Sequence, residues 1–131
     1  MILVDTSVLI DFFRGVSNDP TDRMREVLGH QMPFGITPVI YQEVLQGASS
    51  EKDYTRLKDY LSTQRFFHPR HPVKTYEGAA LIYFSCRRKG ITIRSTIDCL
   101  IAQIALEYDL LLLHNDNDFS LMAPIIGLRF Y

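Results

Sequence analysis

The sequence predicts an α/β fold, a central and mostly parallel sheet covered by helices. Three observations carry this prediction. Two aliphatic runs, Met1–Val4 (MILV) and Leu110–Leu113 (LLLL), show no alternation of apolar and polar residues, as expected of strands buried on both faces of a parallel sheet. Strand-like and capped helix-like stretches alternate along the rest of the chain. Finally, 131 residues and 15.1 kDa correspond to one domain, 1–131, and no linker, repeat or low-complexity tract divides it.

Each element has its own local signal. The first strand stops at Asp5-Thr6-Ser7, three successive helix-capping side chains, and Val8–Arg14 reads as a helix closed by Gly15. Asn18-Asp19-Pro20 opens a helix through about His30, and Pro33–Ile36 reads as a second short strand. Thr37-Pro38 supplies an N-cap hydroxyl and then a proline whose missing N–H costs nothing there, so a helix runs on to Gly47. Ser49-Ser50-Glu51 starts another helix through about Thr63, with Phe66-Phe67 as a strand. Pro72 leads a long helix ending in Arg87-Arg88-Lys89-Gly90, cations at the negative dipole end and glycine as terminator. Ser95-Thr96 begins a helix to Tyr108, Leu110–Leu113 follows as a strand, and a last short strand is expected near Leu128–Phe130.

Hydrophobic residues make up 47% and charged residues 22%, too apolar for disorder. No apolar run is long enough to span a bilayer, and no leader-like pattern precedes the first strand. Cys86 and Cys99 lie in apolar helical contexts without CxxC spacing, and read as reduced core thiols of a cytoplasmic protein rather than zinc ligands. GxSxG, P-loop and HExxH patterns are absent, which removes serine hydrolase, NTPase and zincin readings.

Four carboxylates occupy positions that need a reason. Asp5 follows the first strand and Asp116 lies shortly after the last aliphatic one, at the strand ends where open α/β sheets bind ligands. Each also suits a turn or N-cap. Glu43 shares a helix face with Val39, Ile40, Val44 and Gly47, so it pairs with a cation, borders a polar cleft, or reaches water at the edge of that stripe. Asp98 shares a face with Ile101, Ala102 and Ala105, and it also completes Ser95-x-x-Asp98, a capping-box variant that explains an acid with no function.

If all four converge, like charges ~4 Å apart repel by roughly 4 kcal/mol at an effective dielectric near 20, so the group takes up protons or binds a hard cation. An all-oxygen set suits Mg²⁺ or Mn²⁺. Taking these four from the 15 acids leaves 14 basic against 11 acidic side chains, a net of +3 elsewhere, although the whole chain is at −1. An acidic, metal-binding pocket on a mildly cationic body suits a polyanionic substrate and metal-assisted hydrolysis of a phosphodiester.

MILVDTSVLIDFF at 1–13 resembles the opening of PIN (PilT N-terminus) domains, TIDCLIA at 96–102 resembles their third acidic motif, and LLLHNDNDF at 111–119 their fourth. With the Glu43 helix, the chain resembles a PIN-domain toxin of the VapC (virulence-associated protein C) kind from end to end. The resemblance implies a PIN-like three-layer α/β/α fold and a Mg²⁺- or Mn²⁺-dependent endoribonuclease. It implies a toxin–antitoxin pair, a homodimer, and a small antitoxin protein binding the toxin as a heterotetramer or larger assembly. Asp5, Glu43, Asp98 and Asp116 match the family's four acids as catalytic and metal-ligating residues. Thr6 matches its hydroxyl residue near the metal, and Asp118 a supporting acid. His114 departs from the usual Thr or Ser, and fits a structural role at the end of a strand.

Among the remaining residues, Arg87, Arg88, Lys89 and Arg94 form a basic cluster that suits either RNA phosphates or a helix terminus and solvent. Asp11 fits a structural hydrogen bond better than a metal. Two other functions stay open on the sequence: a PIN-like protein that binds RNA or a partner without cleaving, and an aspartyl-phosphate phosphotransferase of the haloacid-dehalogenase type. The latter needs a second Asp two residues after the first, where this chain has Ser7.

Overall fold

The structure, a computed structural model, describes all residues from Met1 to Tyr131. In chain order the elements are β1 (Ile2–Val4), α1 (Thr6–Phe13), α2 (Asp19–Gly29), β2 (Phe34–Ile36), α3 (Pro38–Gln46), α4 (Glu51–Leu61), β3 (Arg65–Phe66), α5 (Lys74–Arg88), α6 (Thr96–Glu107), β4 (Leu111–Leu113) and α7 (Asn117–Ile126). The expected α/β fold is borne out. The sheet runs β3-β2-β1-β4 and every pairing is parallel. Leu3, Val4, Ile36, Leu112 and Leu113 are fully buried or nearly so, which is why these strands carry no polar alternation.

From β1 the chain steps to β2 and β3 in one direction, then crosses back to β4 on the far side of β1. Right-handed crossovers therefore place α1–α4 over one face and α5 and α6 over the other. The packing agrees: α1 lies against α2 and α3, α3 against α4, and α5, α6 and α7 against one another. The strand order reverses between β1 and β4, the place where open α/β sheets hold their ligands.

Element ends shift by a residue or two, as where the strand expected at Phe66-Phe67 is Arg65–Phe66, and two larger details differ from the sequence expectation. The strand near Leu128–Phe130 reduces to a single parallel bridge between Leu112 and Phe130. Gly127, at a φ of 73°, ends α7 and turns the chain back along β4, where one residue pair meets the ladder. The second difference is α7, which no sequence signal had placed. Its Pro124 falls in the last turn, where the lost N–H costs one hydrogen bond, and Phe119 and Met122 anchor it in the core.

Candidate active site

Parallel register brings the first two acids together. β1 and β4 pair Val4 with Leu113, and the Asp5 N–H continues the ladder by donating to the Leu113 carbonyl at 2.9 Å. Asp5 and the segment carrying Asp116 thus leave the same edge side by side. Both acids are N-caps as well: Asp5 caps α1, and Asp116 caps α7 by accepting from the Asp118 N–H at 2.9 Å. Capping and clustering are one arrangement here.

Ser7 fixes Asp5. Its N–H and hydroxyl both donate to Asp5 Oδ2, at 3.0 and 2.6 Å, and the same hydroxyl accepts from the Asn115 N–H at 2.9 Å. The loop after β4 is thereby tied to the loop after β1. Asn115 and Asn18 also donate their side-chain amides to Asp11 Oδ2, at 3.3 and 3.1 Å, which gives Asp11 the structural role expected of it. Burial pushes the Asp5 carboxyl above its ordinary value, the hydrogen bonds from Ser7 pull it back, and the charge of Glu43 raises it again.

Glu43 comes from α3, which follows β2 on the other side of β1. Thr37 starts this helix, its hydroxyl accepting from the Ile40 N–H at 3.2 Å. Ile40 and Val44 are buried, while Glu43 is half-buried and accepts from the Thr6 hydroxyl at 2.8 Å. The partner of the odd glutamate is therefore a hydroxyl beside Asp5, and no cation pairs with it.

Asp98 is the one acid of the group whose carboxylate takes no hydrogen bond or ion pair. The capping-box explanation fails: Ser95 makes no side-chain cap bond, and the Asp98 N–H takes the Ser95 carbonyl at 3.2 Å instead. The Asp98 side chain is thus free of its own helix terminus. It is 9% exposed, and its Oδ2 is the one buried side-chain polar atom of the chain with no hydrogen-bond partner. Burial, and then the charges of Asp5, Asp116, Asp118 and Glu43, push its pKa up to about 7.

Asp118, a supporting residue in the sequence reading, takes a central place. It is 3% exposed, and one carboxylate oxygen each from Asp98, Asp116 and Asp118 lie within 4.8 Å of one another. Asp5 and Glu43 stand outside this tightest trio, close enough for their charges to act on Asp98. A helix beginning at Asn117 is the signal that would have raised Asp118, since it turns Asp116-x-Asp118 into two acids on one helix start. Arg94 was also understated. Its main-chain N–H donates to Asp118 Oδ2 at 3.0 Å, and its guanidinium lies 3.6 Å from Asp118 Oδ1 and 3.9 Å from Asp116 Oδ1.

His114 turns away from this chemistry. Its Nδ1 accepts from the Asp116 N–H at 3.1 Å, and its ring packs against Phe119 and Phe130 at centroid distances of 5.3 and 4.3 Å. Burial holds its pKa below the ordinary histidine value, although Asp116 acts in the opposite sense.

The donor set fits a hard divalent ion. One carboxylate oxygen from each of three aspartates falls within 4.8 Å of the others, a span that one oxygen-ligated ion can bridge, and the orphaned Asp98 oxygen lacks any protein donor. The ligand atoms that converge are all oxygens, and neither buried cysteine is among them.

A parallel α/β/α sandwich with acids at its switch point defines a class of protein, and the family pattern described as PIN domain matches residues 2–123. The chain belongs to the PIN-domain family. Within it, the chain is 31% identical over 130 residues to Ribonuclease VapC11 of Mycobacterium tuberculosis (strain H37Rv), covering 98% of this chain and 96% of that protein. Its fold is similar to the crystal structure of VapBC2 from Rickettsia felis bound to a promoter DNA fragment. There the TM-score is 0.74 and the identity 19%, with coverage of 100% of this chain and 98% of that one. It is also similar to a toxin–antitoxin complex from Klebsiella pneumoniae, with TM-score 0.65, 23% identity, and coverage of 98% and 95%.

Proposed function

We propose that the chain is an endoribonuclease that hydrolyses RNA phosphodiesters with Mg²⁺ or Mn²⁺ held among Asp5, Glu43, Asp98, Asp116 and Asp118. One observation carries this reading above the others. Asp98 presents a buried oxygen without a partner to four further acids, an arrangement that costs stability unless a cation joins it. Identity over nearly the whole length to proteins named ribonucleases supports RNA as the substrate.

When bound, the ion supplies Lewis-acid charge and lowers the pKa of water. The chain's own groups do the rest. Asp98, Asp116 and Asp118 present oxygens at ligand spacing. Ser7 fixes one face of Asp5, and Thr6 holds Glu43 through its hydroxyl. Water attacks phosphorus and loses a proton while the P–O ester bond breaks and its oxygen gains one. Glu43 and Asp5, outside the trio but within reach of its charge, are carboxyls that can take the first proton and return the second. Ser7 fills the position of the second acid of a phosphotransferase with its hydroxyl committed to Asp5, so nothing favours that chemistry.

The same reading gives the chain a small antitoxin protein as partner, as in the neighbouring toxin–antitoxin complex, and a homodimeric toxin in the cytoplasm. Support comes from α5, where Val73, Tyr76, Leu81 and Phe84 are exposed at its start and along it, and from the apolar groove of about 460 Å³ between α5 and α6. No helix is long and apolar enough to cross a membrane.

The test is RNA cleavage in Mg²⁺, in Mn²⁺ and in chelator, comparing the parent with Asp5→Asn and Asp98→Asn. Chelator and both substitutions are expected to abolish cleavage while the fold persists. Cleavage retained by folded Asp98→Asn would contradict the proposal.

A further inference from the structure

Resting on the metal-dependent reading above, we propose that Arg94 is a displaceable counter-cation. Without a divalent ion its guanidinium balances Asp116 and Asp118, and when the ion binds it swings out to hold a phosphate of the RNA.

The argument is geometric. The Arg94 main chain is pinned, because its N–H is bonded to Asp118 Oδ2 at 3.0 Å. Its side chain is not: it is 76% exposed, whereas the Asp118 side chain beneath it is 4% exposed. The ion-pair distances of 3.6 and 3.9 Å are longer than a locked bidentate pair would give, so the guanidinium is held by charge and little else. Arg94 is the one basic side chain that ion-pairs with these acids. The neighbouring Arg87 and Arg88 lie instead over the rings of Tyr83 and Phe84.

Competition follows directly. The Asp116 and Asp118 carboxylates that a divalent ion requires are those the guanidinium faces, and two cations on one carboxylate pair repel. Metal binding therefore weakens the hold on Arg94, and by linkage Arg94 weakens metal binding by the same factor. The released side chain stays tethered at the pocket rim by its backbone. A guanidinium there matches two phosphate oxygens in a planar, bidentate way that an ammonium does not. Cation exchange would thus couple loading of the ion to capture of the polyanion.

Calorimetric titration of Mn²⁺ without RNA into the parent, Arg94→Gln and Arg94→Lys tests the first half. Glutamine keeps the main-chain bond and removes the charge, so Arg94→Gln is expected to bind Mn²⁺ about fivefold more tightly. Arg94→Lys is expected to stay near the parent. RNA cleavage at saturating Mn²⁺ tests the second half: Arg94→Gln raises KM more than it lowers kcat, and log KM against log salt flattens by about 0.7, one single-strand phosphate contact. Parent binding with no gain in Arg94→Gln overturns the counter-cation and leaves the metal-dependent reading standing. A gain without a change in salt slope overturns the transfer to phosphate. No Mn²⁺ bound by the parent overturns both readings together.

Discussion

The Asp98 carboxyl is 9% exposed, has one oxygen without a donor, and titrates at about 7 because burial and four neighbouring acids disfavour its ionised form. Its unfolded value is near 3.8, so below that pH it is protonated in both states and costs nothing. Between roughly pH 4 and 7 the unfolded chain releases this proton while the fold retains it, so stability falls as pH rises, by at most about 4 kcal/mol. In chelator, the melting temperature of the parent relative to Asp98→Asn is therefore expected to drop from about pH 5 to about pH 8. Asp98→Asn should melt several degrees higher at neutral pH while cleaving nothing, a trade of activity for stability. Superimposable pH profiles would contradict this. Thr6 provides a second residue-scale test: Thr6→Val removes the donor to Glu43, keeps the fold, and is expected to lower cleavage about 10- to 100-fold, as loss of an outer-shell partner does. The identity of these acids was legible in the sequence because Asp5 and Asp116 follow the buried strands and Glu43 and Asp98 share helix faces with apolar residues. Their ranking was not, since whether Asp98 capped its helix or turned inward depends on a hydroxyl rotamer and on neighbours from α7.

Among the elements, β2 and α2 carry opposed glycines. A methyl at Gly35 would stand 2.5 Å from the Phe67 ring and 2.7 Å from the Arg65 carbonyl, prising β3 from β2. At Gly29, the last residue of α2, nothing lies within 4 Å. Gly35→Ala is expected to destabilise by about 1–3 kcal/mol, and Gly29→Ala to stabilise by a few tenths to about 1 kcal/mol, both read by denaturant unfolding. The strand and helix positions were largely legible, because aliphatic runs and capping residues such as Asn18, Thr37 and Ser50 mark them locally, and those caps are made. Helix α7 was not, since its first residues read as a turn-rich Asn/Asp motif and Pro124 reads as a breaker. Tertiary anchoring of Phe119 and Met122 outweighs both signals.

For the molecule as a whole, parallel topology does what no single segment does: it takes acids separated by most of the chain and sets them at one end of the sheet. Order and spacing of the motifs made that convergence readable in advance. The contact of Arg94 with the acids was unreadable, because a cation between two helices looks like surface until the fold brings Asp118 against its backbone. A folded state that holds these acids together without a divalent ion is less stable than one with it, so Mn²⁺ should raise the melting temperature in proportion to the logarithm of its concentration. Asp98→Asn should lose that dependence. The most direct test is anomalous diffraction from crystals grown with Mn²⁺. The expected result is a manganese peak between Asp98, Asp116 and Asp118, with Asp5 and Glu43 alongside; crystals with those carboxylates apart, or with manganese bound only elsewhere, would contradict it.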